Sequence, residues 1–514
     1  RQRQMCIRDR YTSVKFLMNE SEKDSSYSHI LKYTALFGGV QGLNILVGIV
    51  RNKLVAMILG PEGMGLVSLF NSTTKLVSDS TNFGISMSAV KNISLAYDKG
   101  DTALMAHEIR LIRSWSLVTA VLGMMVCILL SPLLDKWTFN WGNHTLHFIL
   151  LSPVVALGAI TGGEAAILKG LRRLRSLAVV SLYNVVLALI ITIPIYYVMG
   201  ESGIVPSLVI IALLQCLLTI AYSWRLYPPR ILLSVSVLRE GGSMIRLGVA
   251  FVLAGVLGSG GDFVIRSYLN NTGDLSTVGL FNAGYMMTMT CAGMVFSAME
   301  TDYFPRLSGI SQLGTRLNET VNHQMEVSLL LVAPILVFFI MGLPILLPLL
   351  YSGKFLPVMG MMKATVIAMY FRALSLPMEY IALSRSDSRT YLVLELIYDV
   401  MAALFIILFY NRYGLTGTGY GLLLAVMANF FIVLVYTRFK YDFVLSAAVR
   451  LYTLVQIPIG VAAVVLSFTL EGAVYWVTEA VLCLLSLAVS LRILHSKAHL
   501  WDALTRKFAG RFKQ

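Results

Sequence analysis

Charge is what this sequence has least of. Asp, Glu, Lys and Arg make up 13% of its 514 residues, about half the roughly 25% of an ordinary soluble domain. So few ionised groups cannot furnish the surface of a soluble protein this long, and that class is excluded. Long polar stretches are also missing, which leaves no large soluble domain on either side of a membrane. The five cysteines, Cys6, Cys127, Cys216, Cys291 and Cys483, form no C-x-x-C pair, and four lie inside apolar runs. That pattern indicates neither a disulfide framework nor a zinc site. No H-E-x-x-H, G-x-S-x-G or G-x-x-x-x-G-K-[ST] motif occurs, so nothing suggests an enzyme, a metal, a cofactor or ATP as a power source. The Gly417–Gly421 run reads as close helix packing rather than nucleotide binding.

What is present is apolar: 57% of residues are hydrophobic, and the mean hydropathy is +0.75. A spanning helix needs about 20 mostly apolar residues, whereas a barrel shows weaker alternation over about ten. The runs here have the helical length, so an all-α polytopic membrane protein is expected. Fourteen spans are read: Leu31–Val50, Met64–Asn82, Trp115–Leu133, Leu146–Ile167, Leu177–Met199, Ile204–Ala221, Leu247–Ile265, Val278–Ala298, Val327–Leu350, Val358–Ile381, Tyr391–Tyr410, Thr418–Tyr436, Leu451–Phe468 and Val474–Ile493.

The net charge of +14 would raise nucleic acid as a partner in a soluble chain. In a membrane protein it is the Lys/Arg excess of cytoplasmic loops, and no nucleic acid is implied. If the N-terminus is cytoplasmic, twenty-five cations fall on the cytoplasmic side and six on the other. This asymmetry puts both termini in the cytoplasm. Trp115, Trp224 and Trp476 at span ends, with Trp137 and Trp141 in an outer loop, suit the headgroup layer. The tail from Arg492 is either a basic amphipathic helix on the anionic leaflet or unstructured. At the other end, MCIRDR resembles a translated sequencing adapter, and Met18 is the more natural start. The polar Met18–Ser28 stretch leads directly into the first span without the pattern of a signal peptide.

Val67-Ser68-Leu69-Phe70-Asn71-Ser72 in span 2 is echoed by Val278-Gly279-Leu280-Phe281-Asn282-Ala283 in span 8, and Leu31-Lys32 with Phe37 by Ile245-Arg246 with Phe251. The offsets are 211 and 214. Corresponding spans run in the same direction, as in a parallel repeat about an axis along the membrane normal. The expected organisation is a cytoplasmic segment 1–28, a first lobe 29–225 (spans 1–6), a second lobe 226–440 (spans 7–12), two added spans in 441–494 and a basic tail 495–514.

A charge in mid-bilayer costs on the order of 2.5–3.5 kcal/mol by insertion scales, so each asks for a partner or a task. Lys75 and Asp79 in span 2, and Asp262 and Arg266 in span 7, are spaced i,i+4 and share a helix face. Each is either a neutralised pair that eases insertion or part of a hydrated cavity whose cations hold an anionic headgroup, since the planar Arg fork binds two phosphate oxygens at once. Arg51 and Lys53 close span 1, and with Arg266 and Lys363 they lie near outer span ends, where snorkelling competes with function. Arg372 in span 10 is deeper. The carboxylates Glu300, Asp302, Glu379, Glu395 and Asp399 complete the membrane set, with Glu164 beside Gly162-Gly163. Span 2 is polar over Asn71, Ser72, Thr73, Thr74, Ser78, Ser80, Thr81 and Asn82, which suits either sugar hydroxyls or bonds between helices.

Residues 31–72, LKYTALFGGVQGLNILVGIVRNKLVAMILGPEGMGLVSLFNS, resemble the first hairpin of bacterial O-antigen and polysaccharide flippases of the multidrug/oligosaccharidyl-lipid/polysaccharide (MOP) exporter superfamily. The Leu59–Gly65 turn, Asp302-Tyr303-Phe304-Pro305-Arg306-Leu307-Ser308 and Gly414-Leu415-Thr416-Gly417-Thr418-Gly419 also fit, and the resemblance covers roughly residues 28–495. It implies two six-helix lobes in a V around a cavity lined mainly by spans 1, 2, 7 and 8. It further implies a flippase in the bacterial inner membrane for a polyprenyl-pyrophosphate-linked oligosaccharide, with the polysaccharide polymerase machinery as a possible partner. Carried onto this chain, Arg51 and Arg266, then Lys75, contact the pyrophosphate; Asn71 contacts sugar, and Arg372 is added on burial alone. Asp79 and Asp262 serve as coupling or charge partners, with Glu300 and Glu379 beside them. A cation-coupled drug antiporter of the same superfamily, and a membrane glycosyltransferase or polymerase, are the competing readings.

Overall fold

The computed structural model describes residues 43–44, 46–228, 242–310, 313–385 and 387–498. Among them the chain is helical, with no strand. The first helical stretch, Leu46–Thr81, breaks at Gly60, whose φ of 67° is the left-handed conformation that glycine adopts without penalty. Pro61 follows in the first turn of the next helix, where its missing N–H costs nothing. The stretch is therefore two helices, α1 (46–59) and α2 (61–81). The same device divides Ser388–Tyr441 at Gly414 (φ 59°) into α12 (388–413) and α13 (415–441).

The remaining helices are α3 (Ile85–Asp98), α4 (Thr102–Thr138), α5 (Thr145–Gly170), α6 (Leu174–Met199), α7 (Ile204–Trp224), α8 (Gly242–Thr272), α9 (Leu275–Ser308), α10 (Thr315–Leu350), α11 (Met359–Ser384), α14 (Ala447–Thr469) and α15 (Gly472–Ala498). Setting α3 aside, each of these overlaps one of the fourteen expected spans, although α1 shares only 46–50 with the first, most of which lies outside the described residues. Nine described helical stretches, three of them merged pairs, are long and apolar enough to cross a membrane, and the chain is a multi-pass membrane protein. The calls on Met18 and the basic tail beyond Ala498 lie outside the described residues.

α3 is the exception in kind. Ile85, Ala89, Ile93 and Ala96 form one buried stripe at helical spacing and pack with Met105, Ile109 and Ile112 of α4 and Ile167 of α5 into a small second core. α4 begins at Asp101, whose carboxylate accepts the Ala103 and Leu104 N–H groups at 3.0 and 2.9 Å, the usual service of an N-cap Asp.

In the first half of the chain α4 packs on α5, α5 on α7 and α6 on α7; in the second, α11 packs on the α12–α13 pair, which packs on α8. α10 is buried along most of its length because α9, α11, α14 and α15 surround it. The C-terminal pair is fastened there by Tyr475 Oη donating to Ile340 O (3.0 Å) and Lys363 Nζ donating to Ser467 O (2.6 Å). Lys363, expected near a span end where snorkelling would serve it, is thus a buried cross-brace.

The halves meet where α2 crosses α9. A Cβ on Gly65 would lie 2.0 Å from Leu275 O, and one on Gly279 would lie 1.8 Å from Pro61 O. These two contacts exchange under an offset of 214 residues, so a pseudo-twofold axis passes between the two glycines. The parallel repeat is present at this crossing, in the 214 register of spans 1 and 7 and not the 211 register of the V-x-L-F-N motif. The same end of the molecule is tied by Asn270 Nδ2 to Thr138 O (2.8 Å), Asn140 Nδ2 to Asn271 O (2.9 Å) and Lys53 Nζ to Pro348 O (2.7 Å).

Candidate substrate cavity between the two halves

α2 and α8 face one another below the glycine crossing. Leu76 and Asp79 of α2 pack against Gly260 and Gly255 of α8, and absent side chains at those glycines allow the close approach. Beside this contact Asn71 and Lys75, spaced i,i+4, are exposed, and the Asp262 side chain on α8 is 41% exposed. Lipid would leave polar groups this open on central helices unsolvated, which makes the space between the halves the candidate for a hydrated cavity.

Arg266 closes that space toward the crossing. It is 6% exposed and pairs with Asp262 at 2.9 Å. Its Nε donates to Ser68 Oγ (3.0 Å) on α2 and its Nη2 to Asn282 Oδ1 (3.4 Å) on α9. Ser68 and Asn282 are themselves related by the offset of 214, so one guanidinium sits on the pseudo-twofold axis and holds an equivalent residue from each half. These two partners were not singled out as site residues from the sequence, although both lie inside the repeated motif. The Asp262–Arg266 pair expected from i,i+4 spacing forms. The Lys75–Asp79 pair does not close: Asp79 turns toward Gly255 and Ser259 of α8, which leaves Lys75 without an ion pair among the described residues.

The other sequence candidates scatter. Arg51 does not close its helix: α1 continues to Leu59, so Arg51 lies eight residues, roughly 12 Å, from the helix end. It faces a pocket lined by α5, α6 and α7, away from the partners of Arg266. Arg372 packs among side chains of its own half. It lies over the Tyr398 ring at 5.3 Å in a closed space with Glu379, Glu395 and Asn429 whose volume is about 10 Å³, room for about one water. Glu379 accepts from Asn429 Nδ2 at 2.8 Å. The Glu300 side chain lies outside the described residues.

Arg113 of α4 and Glu164 of α5 form a buried bidentate pair with Oε1 and Oε2 at 2.8 and 3.2 Å. Trp224 Nε1 adds a bond to Glu164 at 3.0 Å. Outside the membrane, in the turn before α12, Asp387 pairs with Lys440 at 2.5 Å and accepts from Tyr441 Oη and Thr390 Oγ1. Lys440 above all holds its carboxyl well below the usual carboxylate range.

The sequence pattern of the polysaccharide biosynthesis protein family matches residues 30–311, more than half of the chain. The chain belongs to that family. No curated protein sequence matches the chain. Among solved structures it is similar to a lipid II flippase, MurJ, in an inward closed conformation, with 12% identity over 90% of this chain and 99% of that one and a TM-score of 0.70. It is also similar to an inward-facing multidrug-resistance MATE transporter of the MOP superfamily, at 16% identity over 78% and 94% with a TM-score of 0.65. A MATE protein in a bent conformation follows at 15% identity over 80% and 94%, TM-score 0.53. At such identities these likenesses establish a shared fold, that of MOP-superfamily transporters. The family and the fold point to a transporter rather than an enzyme.

Proposed function

We propose that this protein is a flippase that moves a polyprenyl-pyrophosphate-linked oligosaccharide, an O-antigen or related surface-polysaccharide unit, across the bacterial inner membrane by alternating access. Both termini are cytoplasmic in this reading, and the crossing of α2 and α9 closes the outer end. The observation that carries it is Arg266 on the axis, bonded to Ser68 and Asn282 of opposite halves. Opening the outer end pulls those two residues apart and frees guanidinium donors, so the affinity of this cation for an oxyanion changes with the conformation of the carrier. That is what alternating access requires of a binding group.

Lys75, open and unpaired, takes the pyrophosphate first; Arg266 then competes for it against Asp262. Asn71, on the same face as Lys75, contacts sugar hydroxyls. Asp79 and Asp262 couple the movement to a proton or sodium ion, and the polysaccharide polymerase receives the product. The test is complementation of a flippase-deleted Gram-negative host, scored by surface polysaccharide. The chain from Met18 restores it, and Arg266→Ala and Lys75→Ala at equal expression do not. Restoration by both variants removes these residues from the site.

A second reading, a cation-coupled multidrug antiporter, is favoured by the carboxylates Glu379, Glu395 and Asp399 gathered around Arg372. Resistance to cationic dyes without restored polysaccharide would decide for it.

A further inference from the structure

Arg51 lines a partly open pocket of about 340 Å³ in the first half of the molecule. Its polar lining is Thr161 of α5, Ser181 and Asn184 of α6, and Gln215 and Thr219 of α7; the rest is aliphatic. The volume is at the lower end of small-molecule pockets. Span 1 is fixed against it by Asn44 Nδ2 donating to Ser181 Oγ at 2.9 Å. No carboxylate lines it. Glu164 is the one acid in α5, α6 and α7, and both of its oxygens are taken by Arg113 and Trp224. The Nε of Arg51 is buried and has no hydrogen-bond partner. Arg266, by contrast, has a partner at each of its three nitrogens, in Ser68, Asn282 and Asp262. A half-buried cation with a vacant buried donor among neutral amides and hydroxyls lacks an anion, and none of the described residues supplies one.

We infer that this pocket binds a carboxylate-bearing sugar ring of the substrate, a uronic acid, with Arg51 as the carboxylate receptor. The inference rests on the flippase reading for the origin of the sugar. One guanidinium matches one carboxylate through two parallel bonds, whereas a pyrophosphate, with more charge, calls for several cations, and Lys75 and Arg266 are elsewhere. Amides and hydroxyls around an aliphatic wall match a pyranose, which has hydroxyls at its rim and C–H groups on its faces. The pocket is therefore a specificity pocket for the repeat unit, separate from the headgroup site.

The experiment uses the purified full chain in detergent micelles and reads thermal unfolding with D-glucuronate, D-galacturonate, D-glucose or inorganic pyrophosphate. Either uronate raises the melting temperature of the wild type, and glucose at the same concentration does not. Arg51→Gln loses the uronate response, with apparent affinity at least about tenfold lower, while Lys75→Gln keeps it. Gln215→Ala weakens the response and serves as the second variant should Arg51→Gln not fold. No uronate response in the wild type overturns the inference, as does an unchanged response in Arg51→Gln. A pyrophosphate response that disappears in Arg51→Gln overturns it too, since the headgroup would then be the ligand of Arg51. Failure of complementation with the uronate response intact faults the flippase reading and leaves the pocket standing.

Discussion

Alanine at Gly279 should force open the end of the molecule that the α2–α9 crossing closes. The new Cβ would lie 1.8 Å from Pro61 O, 2.8 Å from Pro61 C and 2.9 Å from Gly65 N. All three are backbone atoms, so no side-chain rotation relieves the clash. The helices must part by about 1.2 Å for the closest contact to reach even 3.0 Å. Overpacking of this kind costs typically 1–3 kcal/mol. The penalty falls only on the conformation in which the crossing is closed, so the ratio of closed to open molecules should fall by about 5- to 150-fold. A chain with its five native cysteines replaced and one introduced by Asn71→Cys reports this. Labelling by a membrane-impermeant maleimide, applied from the side of the Gly60 turn, should accelerate in Gly279→Ala. Gly65→Ala, whose Cβ would lie 2.0 Å from Leu275 O, should do the same. The double variant should add little, because both substitutions pry apart one crossing. A labelling rate unchanged in both single variants, with protein inserted at normal levels, would refute the crossing as the closure of this end.

Three further outcomes are expected. Arg113→Met leaves Glu164 buried and unpaired and should destabilise the protein by about 3–5 kcal/mol; thermal unfolding in detergent should show the Arg113→Met/Glu164→Met double variant recovering much of that loss. Asp387 has a folded pKa depressed by Lys440, so its contribution is present above the ordinary carboxylate range and lost as pH falls through the folded value. The wild type should therefore lose melting temperature in acid below about pH 4, and Asp387→Asn should remove that slope at a cost of no more than about 1 kcal/mol near neutrality. Arg266→Lys keeps the charge but cannot hold Ser68 and Asn282 together, so complementation should fall by at least about tenfold; full activity would mean that charge alone suffices.

The membrane class, the helical content and the number of spans were legible from one-dimensional properties. Insertion depends on the apolar length of each segment, and backbone hydrogen bonding in lipid leaves helices as the spanning form for runs of that length. The Asp262–Arg266 pair was legible for a similar reason, since i,i+4 spacing on one helix fixes proximity before any tertiary packing. The same rule failed for Lys75 and Asp79, which form no ion pair although they share a face, because Asp79 lies against α8 at Gly255, and only the approach of two helices decides such a competition. For Arg372 the depth was readable, but its packing among α11, α12 and α13 was not.

The repeat could be seen in the sequence, yet its register could not. Two offsets fitted the apolar motifs, and the backbone contacts of Gly65 and Gly279 select 214. Gly60 and Pro61 were read as parts of a longer turn; their local geometry lets α1 run on to Leu59, and that moves Arg51 from a helix end to the wall of a pocket. Side-chain chemistry and spacing along one helix are properties of the sequence itself. Which helices meet, at which residues, and which charges are left without a partner depend on packing between segments far apart in the chain, and only the tertiary structure decided them.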